Sequence, residues 1–250
     1  MLLRGADHIV VVSDALGKDV LAIEPRVAEK MTTIYNGVDL AMFAPAENGL
    51  HPRPSDPNQS KPTILSIASF TVTKGHEVLV RAFARVLTTV PDACLVLVGA
   101  DGPEAGATRE LVDQLSLGKK VSIFKDVPHA DIPTFLCRAR LFVLASRAEG
   151  NPLALIEAGA ARLPVVFTRT PASSELITDG VTGRLVEVND EVSLAQAIID
   201  LLVHTEVAQC MATKFHEHVR NNLSWSRTYE TYLKLAANGM SHKISVAERK

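Results

Sequence analysis

Apolar residues along this chain fall into short runs that alternate with amphipathic stretches, the pattern of parallel strands separated by helices. Ile9-Val10-Val11-Val12 predicts a strand, and Ser13 the N-cap of a helix reaching about Ile23. Met31-Thr32-Thr33-Ile34-Tyr35 predicts a second strand, ending at the turn Asn36-Gly37. From Thr63 onward the alternation is regular. Strands are expected at 63–69, 94–99, 121–124, 140–146 and 164–168, with a last short one at 184–188. Helices at 75–90, 104–117, 130–137 and 153–160 separate the earlier strands, and Val78, Leu79, Ala82, Phe83 and Val86 share one face of the first. Helices near 191–204, 206–222 and 224–237 close the chain, and the polar tail 240–250 is expected to fray. Such alternation implies an α/β fold: a Rossmann-like, doubly wound parallel sheet covered on both faces.

The rhythm breaks once. Prolines 45, 52, 54, 57 and 62, set among Asn, Ser and Asp, mark residues 44–62 as an exposed linker. Residues 63–222 suffice for a nucleotide-binding α/β domain, with 223–250 as a closing helix and tail. Residues 1–43 supply only a strand, a helix and a strand. They cannot bury a core alone and read as the remnant of a second α/β domain whose start precedes position 1.

Composition narrows the class. The chain is 47% hydrophobic with a net charge of −2, which fits a globular protein and gives no reason to expect a nucleic-acid partner. No apolar run approaches the ~18 residues of a membrane span. Cys94, Cys137 and Cys210 are far apart and odd in number, and the first two lie in apolar runs. Free thiols in a reducing, cytoplasmic compartment are the expectation, with the inner membrane face as a peripheral site.

The chemistry concentrates after the strand at 140–146. Arg147-Ala148-Glu149-Gly150 forms a loop, Asn151 takes the N-cap position, and Pro152 the first helical position. Leu153, Ile156 and Ala160 form the apolar stripe of the helix, which Glu157 borders. Glu149 and Glu157 therefore frame a helix N-terminus whose free N–H groups suit a phosphate. Glu157 leans back toward that mouth and could accept from paired sugar hydroxyls, so the site suits a nucleotide-linked sugar. Lys74-Gly75 follows the strand at 63–69, with Thr73 as a cap; the lysine suits a diphosphate and the glycine a close backbone approach. The loop 125–129 could read a base through backbone groups. His76 and His129 lie in loops without a visible partner. No G-x-G-x-x-G follows a strand, and neither a P-loop nor a G-x-S-x-G motif occurs.

The order of these pieces resembles the retaining glycosyltransferases of family 4, which have two facing Rossmann-like domains, the GT-B architecture. Ser146-Arg147-Ala148-Glu149-Gly150-Asn151-Pro152 through Glu157 resembles the family's E-x7-E motif. Lys74-Gly75, Val98-Gly99-Ala100-Asp101-Gly102-Pro103, Leu163-Pro164-Val165-Val166 and Ser174-Glu175-Leu176-Ile177 through Gly183 are further matches. Ala6–Ser13 and Tyr35–Asp39 resemble the end of the family's first domain and its crossover, and Ser224-Trp225-Ser226-Arg227 the start of its closing helix.

The resemblance implies sugar transfer from a nucleotide-sugar donor to a glycan, lipid or small-molecule acceptor, with retained configuration and without a metal or other cofactor. This chain would supply the donor-binding half, beside an acceptor-domain subunit or a second copy. The alternatives are a non-catalytic nucleotide-sugar-binding subunit and a sugar-nucleotide epimerase. By position, Lys74 would bind the diphosphate, Glu157 the ribose, and Glu149 would be the catalytic residue beside the donor sugar. Gly75, Gly150 and Asn151 would contribute backbone contacts. Ser69 stands where family members carry an arginine, a role Arg147 could partly fill, and Lys125 replaces a glycine.

Overall fold

The structure is a computed structural model that describes residues 2–43 and 61–247. Most of the expected linker, residues 44–60, lies outside the described residues. The first part comprises α1 (Leu2–Gly5), β1 (Ile9–Val11), α2 (Asp14–Ile23), β2 (Met31–Thr33) and α3 (Leu40–Phe43). Ser13 caps α2 as expected, its hydroxyl accepting from Leu16 N at 3.2 Å. Strands β1 and β2 pair in parallel, and the core here is only Ile9, Val11 and Val27 with a few half-buried neighbours.

The larger part runs β3 (Thr63–Ile67), α4 (His76–Val86), β4 (Cys94–Gly99), α5 (Glu104–Gln114), β5 (Val121–Lys125), α6 (Ile132–Arg138), β6 (Leu141–Leu144), α7 (Leu153–Ala160), β7 (Val165–Thr168), α8 (Pro171–Leu176), β8 (Arg184–Val186), α9 (Glu191–Val203), α10 (Thr205–Asn222) and α11 (Trp225–Ala247). Its six strands form one parallel sheet in the order β5-β4-β3-β6-β7-β8. Successive strand residues face opposite sides. Ile64, Leu141, Val143 and Val166 join Leu79, Phe83 and Ile198 on one side. Leu65, Phe142, Val165 and Phe167 join Leu136, Leu155 and Phe215 on the other. Both faces are apolar, so the strands read as continuous hydrophobic runs rather than as alternations.

The chain leaves β3 toward β4 and β5, then returns to place β6 on the other side of β3. This reversal makes the carboxyl ends of β3 and β6 the switch point of the sheet, where ligands of doubly wound folds bind.

Three local expectations change. Helix α8 was not expected; Thr170 and Ser173 form a capping box around Pro171 that a Ser/Thr-rich stretch hides as loop. Helix α11 continues through Ala247 rather than fraying from 240. Leu153 is half exposed, while Leu155, Ile156, Ala158 and Ala160 are buried, so α7 is enclosed nearly all round instead of along one stripe.

The first part is tied to the sheet domain at two places. The Glu175 carboxylate on α8 accepts from Asp14 N at 3.0 Å, Ala15 N at 2.6 Å and the Tyr35 hydroxyl at 3.0 Å. Burial, and then this carboxylate, push the Tyr35 hydroxyl well above its usual pKa. Val38 pairs with the start of α11 through Val38 N–Leu223 O at 2.9 Å and Trp225 N–Val38 O at 3.0 Å. A Cβ on Gly37 would stand 2.6 Å from Thr228 Oγ1 and 2.9 Å from Ser224 O, so the crossover requires glycine there.

Candidate functional site

The loop after β3 ends in a 3₁₀ turn, Val72–Lys74, and Gly75 at φ +61° then starts α4. A Cβ on Gly75 would lie 2.2 Å from Ala145 O, beside β6. Only glycine permits both the left-handed turn and this approach. Thr73 does not cap the helix; its carbonyl accepts from Arg147 N at 2.7 Å instead. The two switch-point loops are thus held together by backbone.

Across that contact, Lys74 Nζ lies 2.7 Å from Glu149 Oε1, with only 23% of the lysine and 9% of the glutamate side chain exposed. An ammonium has three donors, so two remain for another anion.

Asn151 is not the N-cap of α7. Pro152 takes that place, its carbonyl accepting from Leu155 N at 3.1 Å, and no side chain caps the helix. The Asn151 side-chain amide is buried with neither Oδ1 nor Nδ2 partnered among the described residues, while its carbonyl accepts from Asn36 Nδ2 at 3.3 Å. Without a cap, no side chain competes with an incoming anion for the first N–H groups of α7.

Arg147 is committed within the protein. Its guanidinium donates to Glu77, to the Val72 carbonyl and to Asn189 Oδ1, the last at 3.0 Å. In this arrangement it braces the loop, and the part it was expected to take over from a second diphosphate ligand would require it to leave these partners. Lys125 ends the edge strand β5, two strands from β3, in an exposed pair with Asp101 at 2.8 Å. Lys125 holds Asp101 below the usual carboxylate range. Ser69 is half-buried beside Lys74's loop, and Gly150 is half-buried near Val12.

Two histidines read as unpartnered prove to be engaged. His76 is buried, stacks on Phe70 with ring centroids 4.6 Å apart, and places Nε2 3.1 Å from Ser69 O. Its Nδ1 is buried without a partner among the described residues, and burial holds its pKa below the ordinary value. His129 Nε2 lies 2.8 Å from Glu157 Oε1. The signal was available: a carboxylate on a helix this apolar needs a partner, and the loop after β5 opens on the same sheet edge. Glu157 and His129 line a cavity of about 570 Å³, walled also by residues 36–39, Met42, Phe43, Leu153 and the aromatic side chains of α11. Among the described residues no cluster of His, Cys, Asp and Glu is arranged to hold a metal ion. No described helix is long and apolar enough to cross a membrane.

The fold is a Rossmann-like α/β domain of the GT-B kind. The chain belongs to the glycosyl transferases group 1 family, which matches residues 49–217. It is 26% identical over 240 residues to spore coat protein SA of Bacillus subtilis (strain 168), covering 90% of this chain and 63% of that protein. N-acetyl-alpha-D-glucosaminyl L-malate synthase of Bacillus anthracis is 31% identical over 187 residues, 75% of this chain and 48% of the relative. The sucrose-phosphate synthase structure from Thermosynechococcus elongatus superposes with a TM-score of 0.82 at 25% identity, over 96% of this chain and 60% of that one. The chain thus spans about half to two thirds of the length of these relatives.

Proposed function

We propose that the chain is the donor-binding half of a retaining, family-4-like glycosyltransferase that moves a sugar from a nucleotide donor to an acceptor. The observation that carries this reading is the Lys74–Glu149 pair, 2.7 Å apart across the switch point and beside an uncapped helix N-terminus. Lys74 neutralises the donor diphosphate with its two remaining donors. The Gly150 and Asn151 amides at the mouth of α7 and the Ser69 hydroxyl add hydrogen bonds, and Gly75 lets the backbone come close. Glu157 accepts from the ribose hydroxyls. Glu149, fixed by Lys74, stands at the reacting face of the sugar as the catalytic carboxylate. A fixed cation and aligned dipoles neutralise the leaving diphosphate, so the reading requires no metal. Lys125, at the sheet edge, lies toward the base. A separate acceptor domain or second copy would complete the crevice, and the free thiols suit a cytoplasmic place.

Calorimetry on the Lys74→Ala variant tests this. Loss of one charged hydrogen bond should weaken nucleoside diphosphate binding by roughly 1.5–3 kcal/mol and leave bare nucleoside binding nearly unchanged. Lys74→Ala with Glu149→Gln removes the stranded carboxylate, so a folding defect is told apart from a binding defect. Equal losses for both ligands would take Lys74 out of the phosphate role.

A further inference from the structure

Glu157 is nearly out of water on a helix whose neighbours are apolar, and its partner comes from a different element. His129 Nε2 sits 2.8 Å from Oε1 and is the one partner of this carboxylate among the described residues. The imidazole is braced from another side: it meets Phe43 edge-on, with centroids 5.9 Å apart and planes at 70°. Phe43 is buried at the end of α3. The His129 side chain itself is 64% exposed, so filling the core does not account for its position. Phe43 of α3, His129 of the turn before α6 and Glu157 of α7 therefore stand in series, ring on ring and ring on carboxylate, at the wall of one cavity.

We infer that His129 is a positioning residue for the carboxylate that receives the ribose. Its Nε2–H holds one oxygen of Glu157 and leaves the other to accept from the sugar hydroxyls. An unheld glutamate must give up rotamer freedom when it binds; one already fixed gives up less, so more of the hydrogen-bond energy appears as affinity. The inference rests on the ribose role of Glu157, and its test separates the two.

The quantity to measure is discrimination: the ratio of calorimetric affinities for a ribonucleoside diphosphate and its 2′,3′-dideoxy analogue. UDP and GDP are the probes, with the tighter one carried forward. Wild type should prefer the ribose form. His129→Ala should reduce that preference about three- to tenfold, the range of one net hydrogen bond. His129→Gln, which can still donate from its amide, should recover part of it. Affinity for the dideoxy compound should stay the same in all three proteins, which a merely structural effect would not allow. If wild type binds neither diphosphate, or does not prefer ribose, the ribose reading of Glu157 fails and takes the inference with it. If wild type discriminates and His129→Ala does so equally, or binds the ribose form more tightly, His129 is a bystander or a competitor and the inference alone is overturned.

Discussion

His76 carries a dependence on pH in a single ring. Its Nε2 donates to Ser69 O while Nδ1 faces no acceptor among the described residues, so a second proton gains no hydrogen bond there. Burial is the main cause of its lowered pKa. Unfolded, the ring takes up a proton near pH 6.5; folded, it does so only at lower pH. Stability is therefore complete above about pH 7 and falls as the pH drops below about 6.5, because the unfolded state then binds more protons. His216 and His218, lowered chiefly by burial as well, act in the same direction. Urea midpoints at pH 7.5 and 5.5 should show this loss, and His76→Phe should be less sensitive to pH than wild type. An identical slope in the variant would assign the effect to the other histidines.

At the scale of elements, the strands and most helices were legible because apolar runs bury on both faces of a parallel sheet. Alternation of Phe142 with Leu141 and Val143 between two cores leaves no polar position to confuse the reading. Ends were less legible. Pro152 rather than Asn151 begins α7, since the fold places Asn151 beneath Asn36, a contact 115 residues away in sequence that no local pattern announces. The site loops, Lys74 and both glutamates were read from residue type and order, whereas His129 required knowing which loop faces Glu157. Glu175 is another long-range partner. It serves the N-terminus of α2 from 160 residues away, in addition to the local Ser13 cap. Glu175→Ala should destabilise by about 1 kcal/mol, as for the loss of a helix cap. Hydrogen exchange should quicken in α2, β1 and β2 while α4 stays protected, because the small Ile9–Val11–Val27 core has little else to hold it. Uniform acceleration throughout would show that the two parts open together.

For the whole molecule, the described residues place the diphosphate end of the proposed crevice against one large sheet, with only the two-stranded β1–β2 unit beside it. Trp225, Tyr229, Tyr232 and Leu233 stand exposed along α11, more apolar surface than a single helix usually presents to water. Sugar transfer requires two reactants in near-attack geometry, and an open crevice admits water that weakens every charge contact in it. The purified chain should therefore bind nucleoside diphosphate weakly, associate with rising concentration through α11, and transfer no sugar by itself. Sedimentation across a concentration series, with Tyr229→Lys as the variant expected to suppress association, checks the surface. A radiolabelled transfer assay with mixed donors and acceptors checks the chemistry, first on the chain alone and then with an acceptor domain supplied separately. Turnover that appears only with the added domain would support the donor-half reading. Robust turnover by the monomer would overturn it and place an acceptor site within these 250 residues.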